Sequence, residues 1–303
     1  MFSTRSGAAK LSLVVVIGLI VLKVVVVAIT GSISILAQAA DSFLDLFAIV
    51  ITVFAVGIAI RPADKEHPFG HGKMENIAAI AQAMLIFTAG GLIIYSAVHR
   101  ITAGVTVELT EAGIGVMLIS IIVSVFLSRH LLKVSRAVDS IALQASAHNI
   151  AADVYSAAAV LAGLIAIRFT GLNILDPIIA LLVALFILKV GYDVLRQSFG
   201  GLVDVKLPEV EEVEIKSCIV EHYSEVVSFH ELRTRKAGSQ RYIELHLVMP
   251  KHASVEEAHK MCDHLEQDIE TRLLRTSVTI HVEPCSIECD QCFVSCSLRR
   301  VRP

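Results

Sequence analysis

Six long apolar runs occupy the first two thirds of the chain, at about residues 9–30, 32–60, 77–98, 110–132, 141–169 and 172–195. An α-helix needs roughly 20 apolar residues to cross the hydrocarbon core of a bilayer, so the pattern predicts six transmembrane helices. The opening MFSTRSGAAK has a positive end, but the run after it is too long for the core of a signal peptide, and no small-residue cleavage site follows it cleanly. It reads as the entry to the first span. After GGLVDVKLP the pattern turns abruptly charged and amphipathic. VEEVEIKSCIVEHY has helical period, VVSFHELRTR and RYIELHLVMP read as strands joined by the turn KAGSQ, SVEEAHKMCDHLEQDIETRLL is an amphipathic helix opened by Ser254, and SVTIHVEP is a last strand. The order α-β-β-α-β predicts a small two-layer α+β domain. The expected organisation is a six-helix transmembrane domain over 1–206, the α+β domain over 207–284, and a cysteine-bearing tail over 285–303.

Composition agrees with a membrane protein: of 303 residues 55% are hydrophobic, and the mean hydropathy is +0.70. Charge sets the orientation, because short loops rich in Lys and Arg stay in the cytoplasm. Arg5 and Lys10 precede the first span, Arg61, Lys65 and Lys73 follow the second, and Arg129, Lys133 and Arg136 follow the fourth. The opposite side has little beyond Arg100 and Arg168. Both termini are therefore expected in the cytoplasm. A net charge of −3 gives no basic field for nucleic acid. No phosphate-binding glycine loop is present for a nucleotide, which argues against an ATP-driven pump.

Acids inside the apolar runs change the picture. Asp41 and Asp45 lie four apart in the second run, and Asn149 and Asp153 lie four apart in the fifth, with His148 beside them. A carboxylate at the bilayer centre costs about 3 kcal/mol on insertion scales, and residues four apart share a helix face. Asp41, Asp45, Asn149 and Asp153 together offer oxygen-bearing side chains for a divalent cation. The plainer alternative is a helix interface satisfied by hydrogen bonds or by Lys23. In the loop RPADKEHPFGHGKMEN, Asp64, His67 and His71 stand three and four apart, a transition-metal pattern or a set of solvated loop residues. The α+β segment contributes His230, His246, His259 and His281, with Glu283 in phase with His281 on one strand face. Cys285, Cys289, Cys292 and Cys296 form a C-x3-C-x2-C-x3-C run, four thiols for a soft metal or a tail with free cysteines. Cys218 and Cys262 fall on helices and read as core.

Taken together, GSISILAQAADSFLD, HPFGHGKMEN, the Asp in the fifth run, and HELRTRKAG…YIELHLVMP…AH…TIHVEPC resemble the cation diffusion facilitator family over roughly residues 8–285, and within it the bacterial ferrous-iron/zinc efflux branch. The resemblance implies six-helix protomers that dimerise, a metallochaperone-like cytoplasmic domain, and exchange of a divalent metal for protons. It implies transport ligands at Asp41, Asp45 and Asp153, a loop site at Asp64, His67 and His71, and metal positions at His230, His246, His259, His281 and Glu283. The sequence departs from the branch twice. Asn149 stands where the branch usually has His, with His148 about 100° away around an ideal helix, and the cysteines beyond Cys285 are additional. The expectation is an inner-membrane homodimeric antiporter, not an enzyme, exporting Zn²⁺, Fe²⁺ or Mn²⁺. It has no prosthetic group, and its partners are lipid, metal ions and protons. A metal-gated channel and a membrane-anchored metal sensor are the rivals.

Overall fold

The computed structural model describes residues 4–30, 33–103, 111–170, 172, 174–222 and 226–286, and not the side chains at 30, 33–35, 37, 40, 41, 103, 111–113, 164, 167 and 168. By internal contact the chain divides into two compact units, residues 1–200 and 201–303.

The first unit is built from α1 (Arg5–Thr30), α2 (Ile33–Ala59), α3 (Met74–Ala103), α4 (Glu111–Val138), α5 (Ile141–Thr170) and α6 (Leu175–Leu202). Five of these are long and apolar enough to cross a membrane, over Arg5–Ile29, Ser42–Ala59, Met74–Thr102, Ile114–Val138 and Leu175–Leu202. The remaining helix, α5, is 30 residues long, and its first half carries Gln144, Ser146, His148, Asn149 and Asp153. Apolar side chains face outward along the bundle, with Phe54, Phe126 and Phe169 at least two thirds exposed. Water would not tolerate so much contiguous apolar surface, whereas hydrocarbon is its natural solvent.

Inside the bundle, Val16 and Ile20 of α1, Ile49 and Val56 of α2, Leu127 and Leu131 of α4, and Leu143 and Ile150 of α5 form one core. Smaller clusters join α6 to α3 and α5, through Val194 with Ala79, Ala83 and Ala145, and through Ile187 with Ile86 and Ala152. Small residues let these helices approach closely. A Cβ on Gly191 would meet Ile86 Cγ2 at 2.9 Å.

The second unit has the expected order: α7 (Glu209–Glu221), β1 (Ser228–Ala237), β2 (Gln240–Met249), α8 (Val255–Arg272) and β3 (Thr276–Pro284). β1 and β2 are an antiparallel hairpin, and β3 returns parallel to β2 after the α8 crossover. Alternation decides the faces. Ile243, Leu245, Leu247 and Met249 point into a core with Ile215 and Ile219 of α7 and Leu265 and Ile269 of α8. The other sheet face carries the even-numbered residues of β2, including His246. Cys218 and Cys262 are core residues, as their helical positions require, and burial pushes both thiols above the ordinary range. α8 opens with a capping box: Glu257 N–H donates to Ser254 Oγ, and Ser254 N–H donates to the Glu257 carboxylate at 2.8 Å.

Candidate metal centres

Three strands deliver one row of imidazoles in the α+β unit. His230 pairs with His246 in the β1–β2 register, and His246 pairs with His281 in the β2–β3 register. Directly partnered residues share a sheet face, so the rings lie side by side, tilted edge to face, with centroids 5.2 Å and 4.7 Å apart. Glu283, two residues past His281, closes the group. Its Oε2 lies 3.4 Å from His230 Nε2 and its Oε1 3.0 Å from His246 Nδ1. A tetrahedral metal with bonds near 2.0–2.1 Å holds its donors roughly 3.3 Å apart, so these spacings suit a shared cation. Ligand atoms of His230, His246 and Glu283 all fall within 4.8 Å of one another. His281 stands at the edge, its Nε2 3.8 Å from Glu283 Oε1. His259 is not brought into the group within this chain; it lies on the exposed face of α8, 3.6 Å from Asp263.

The loop after α2 makes a second compact set. Asp64 folds its carboxylate back onto the chain, accepting from the N–H of His67 at 2.7 Å and of Glu66 at 3.0 Å, as acidic side chains do in turns. Gly70, at φ +78°, takes a left-handed conformation that a side chain would strain. Its N–H donates to His67 O at 2.9 Å. The tight turn brings His71 back over Asp64, Nε2 to Oδ2 3.3 Å, with His67 Nδ1 3.2 Å from Oδ1. Donor atoms of all three lie within 4.8 Å. The His67 backbone N–H, above all, holds the Asp64 carboxyl below its ordinary range, ahead of its ring and the Glu66 N–H and against partial burial. His71 Nδ1 is buried with no hydrogen-bond partner among the described residues, an atom with an unmet need.

The intramembrane residues lie on α2 and α5, which pack against each other. Asp45 and Asp153 are partly buried and Asn149 is buried. Lys23 of α1 reaches the same stretch of α2, donating to Ser42 Oγ at 2.7 Å and to Gln38 O at 3.2 Å. His148 is partly buried on α5, one residue before Asn149. The Asp41 side chain lies outside the described residues, as do Cys289, Cys292 and Cys296. Cys285 is described: it is buried, and its N–H donates to Met249 O at 2.9 Å.

Comparison with known families decides what this architecture is. Residues 9–203 match the model of the cation efflux transmembrane domain, and residues 207–285 match that of the cation efflux protein cytoplasmic domain, ZT_dimer. The chain belongs to the cation diffusion facilitator family. This cation efflux protein is 34% identical to the transporter sll1263 of Synechocystis sp. over 263 residues, 87% of this chain and 85% of the relative. It is also 34% identical to the cation-efflux pump FieF of Salmonella typhi, over 85% of each chain. A solved structure of CzrB in its zinc form is 36% identical, covering 28% of this chain and 97% of that one, with a TM-score of 0.27.

Sequence reasoning passed over two acids of the efflux protein. Glu75, inside HGKMEN, is fully buried and accepts from Arg5 Nη1 at 3.1 Å and Ser140 Oγ at 2.6 Å, while Arg5 Nη2 donates to Val138 O at 2.8 Å. This network ties α1 and α3 to the α4–α5 turn. Its only sequence signal is an acid in the first turn of a membrane helix with a lone arginine near the chain start. Glu231 is the other. It sits at a register shift in β1 with φ 49°, and its Oε2 lies 3.9 Å from His246 Nε2. A bulge of this kind re-aims a side chain, and nothing in strand alternation announces it.

Proposed function

We propose that this cation efflux protein exports Zn²⁺, Fe²⁺ or Mn²⁺ from the cytoplasm in exchange for protons, through an intramembrane site at Asp41, Asp45, Asn149 and Asp153. The observation that carries the reading is the packing of α2 against α5, the two helices that hold these residues. A divalent ion favours the deprotonated carboxylates. Its departure leaves them uncompensated in a low-dielectric cavity and raises their affinity for protons. Metal and proton thus exclude each other from one site, and rocking of helices around a fixed midplane site converts that exclusion into antiport. Asn149 makes the shell all-oxygen, which shifts relative preference toward the harder ions Mn²⁺ and Fe²⁺.

In this reading the protein is a homodimer in the inner membrane, with both termini in the cytoplasm. The dimer is supported by membership of the cytoplasmic unit in the ZT_dimer family, and the orientation by the Lys and Arg of the loops. His230, His246 and Glu283, with His281 able to join from the edge of the row and His259 only across the dimer interface, sense cytoplasmic metal and shift the population of transporting states. Asp64, His67 and His71 form a loop site, and Cys285 with the tail thiols Cys289, Cys292 and Cys296 offers soft ligands. Purified protein in vesicles, with a metal-sensitive dye inside and a pH dye outside, tests the reading. Metal influx accompanied by proton efflux supports it. Metal flux that collapses the gradient without moving protons means a channel, and metal binding without flux means a sensor.

A further inference from the structure

Helix α4 carries a continuous outward stripe at alternating intervals of three and four residues: Ile119, Ile122, Phe126, Arg129, Lys133 and Arg136. Such spacing keeps all six on one face. Ile119, Ile122 and Phe126 are 47%, 55% and 71% exposed, and the three cations after them are exposed as well. Within one turn the face changes from hydrocarbon-compatible to cationic.

Arg5, Arg100, Arg241 and Arg272 each meet an acid at 3.1 Å or less, whereas among the described residues Arg129, Lys133 and Arg136 have no ion-pair partner. The nearest acid along the helix, Asp139, has interactions of its own. Like charges three and four residues apart on a helix repel, so this arrangement favours an anion among them. The space for one exists: a surface cavity of about 570 Å³ is lined by Arg129, Leu132, Lys133, Arg136 and Ala137.

We propose that this face of α4 is a binding site for an anionic phospholipid, with the headgroup phosphate among Arg129, Lys133 and Arg136 and an acyl chain along Ile119, Ile122 and Phe126. The apolar continuation selects a lipid over a free anion, because only a lipid fills both halves of the stripe. Basic clusters beside a membrane span attract anionic headgroups through short-range electrostatics, and long basic side chains reach the interface while their stems stay in the apolar layer.

Delipidated protein in neutral detergent tests this, titrated separately with phosphatidylglycerol, phosphatidylcholine and inorganic phosphate, with melting temperature and native mass spectrometry as readouts. Phosphatidylglycerol is expected to raise the melting temperature and stay bound at one lipid per protomer. Phosphatidylcholine and phosphate are expected to do neither. Lys133→Gln should weaken phosphatidylglycerol binding about fivefold, the triple variant R129Q/K133Q/R136Q should abolish the bound lipid, and Lys133→Arg should retain it. Equal lipid binding by Lys133→Gln and the parent protein overturns the proposal. So does equal stabilisation by phosphate alone, which would indicate a small-anion site, or by phosphatidylcholine, which would mean that headgroup charge is not read.

Discussion

Glu283 Oε1 lies 3.0 Å from His246 Nδ1, although the residue opposite Glu283 in the parallel register is Val248. The carboxylate reaches diagonally along the sheet face. It thereby fixes the ring of His246 and faces His230 with its other oxygen. One acid organises two imidazoles from two strands, and the site should depend on it more than on any single histidine at its edge.

Glu283→Gln keeps the shape and removes the charge. Zn²⁺ added to the full-length protein in detergent should raise the melting temperature of the wild type by linkage of binding to the folded state. In the variant the concentration needed should rise about 10- to 100-fold, the usual effect of losing a carboxylate around a metal-binding histidine, and His246→Ala should weaken the response at least as much. An unchanged titration in both variants would leave the row of histidines as surface residues.

Glu75 offers a test of the bundle alone. Glu75→Ala leaves Arg5 without its acid and Ser140 without its acceptor, and breaking a buried pair from one side costs about 3–5 kcal/mol. Thermal unfolding in detergent should show a clear loss of stability with no change in the Zn²⁺ response of the α+β unit.

The α8 capping box predicts a pH signature. Hydrogen bonds from the Ser254 N–H and hydroxyl hold the Glu257 carboxyl below its ordinary value. A carboxyl depressed in the folded state contributes stability that is fully present above its unfolded pKa and lost as pH falls through the folded one. The stability gap between wild type and Ser254→Ala should therefore be constant near neutrality and narrow below about pH 4, measured without metal. A gap that widens on acidification would contradict the assignment.

At the proposed transport site, Asn149→His replaces an amide oxygen with imidazole. Transport of Zn²⁺ relative to Mn²⁺ and Fe²⁺ should increase, because nitrogen ligands suit Zn²⁺ better, and His148→Ala should change little. Competition among the three ions decides. Loss of transport in His148→Ala with an inert Asn149→His would make the histidine the ligand.

The helices were legible because hydropathy reports the part of each element that meets lipid. Their ends were not. α4 runs on to Val138 and α3 begins at Met74, beyond the apolar runs, since backbone hydrogen bonding continues where side chains turn polar. The loop triad was visible as spacing, because Asp64, His67 and His71 are local and one turn gathers them. The order of the α+β elements followed from periodicity. The row His230–His246–His281 did not: cross-strand register is a tertiary property, and alternation within β3 gave only the Glu283 phase. Buried acids such as Glu75 escape for a related reason, because their partners come from other helices. The proposed transport site was read from the cost of charge in hydrocarbon, a rule that names residues without giving their geometry.

Transport by Asp45→Ala and Asp153→Ala in inverted vesicles tests the central claim most directly. Both proteins should fold, since removing one acid from a site of like charges relieves repulsion, and both should lose metal uptake together with the accompanying proton movement. Wild-type rates of metal uptake in either variant would contradict the account, placing the pathway away from the α2–α5 pair.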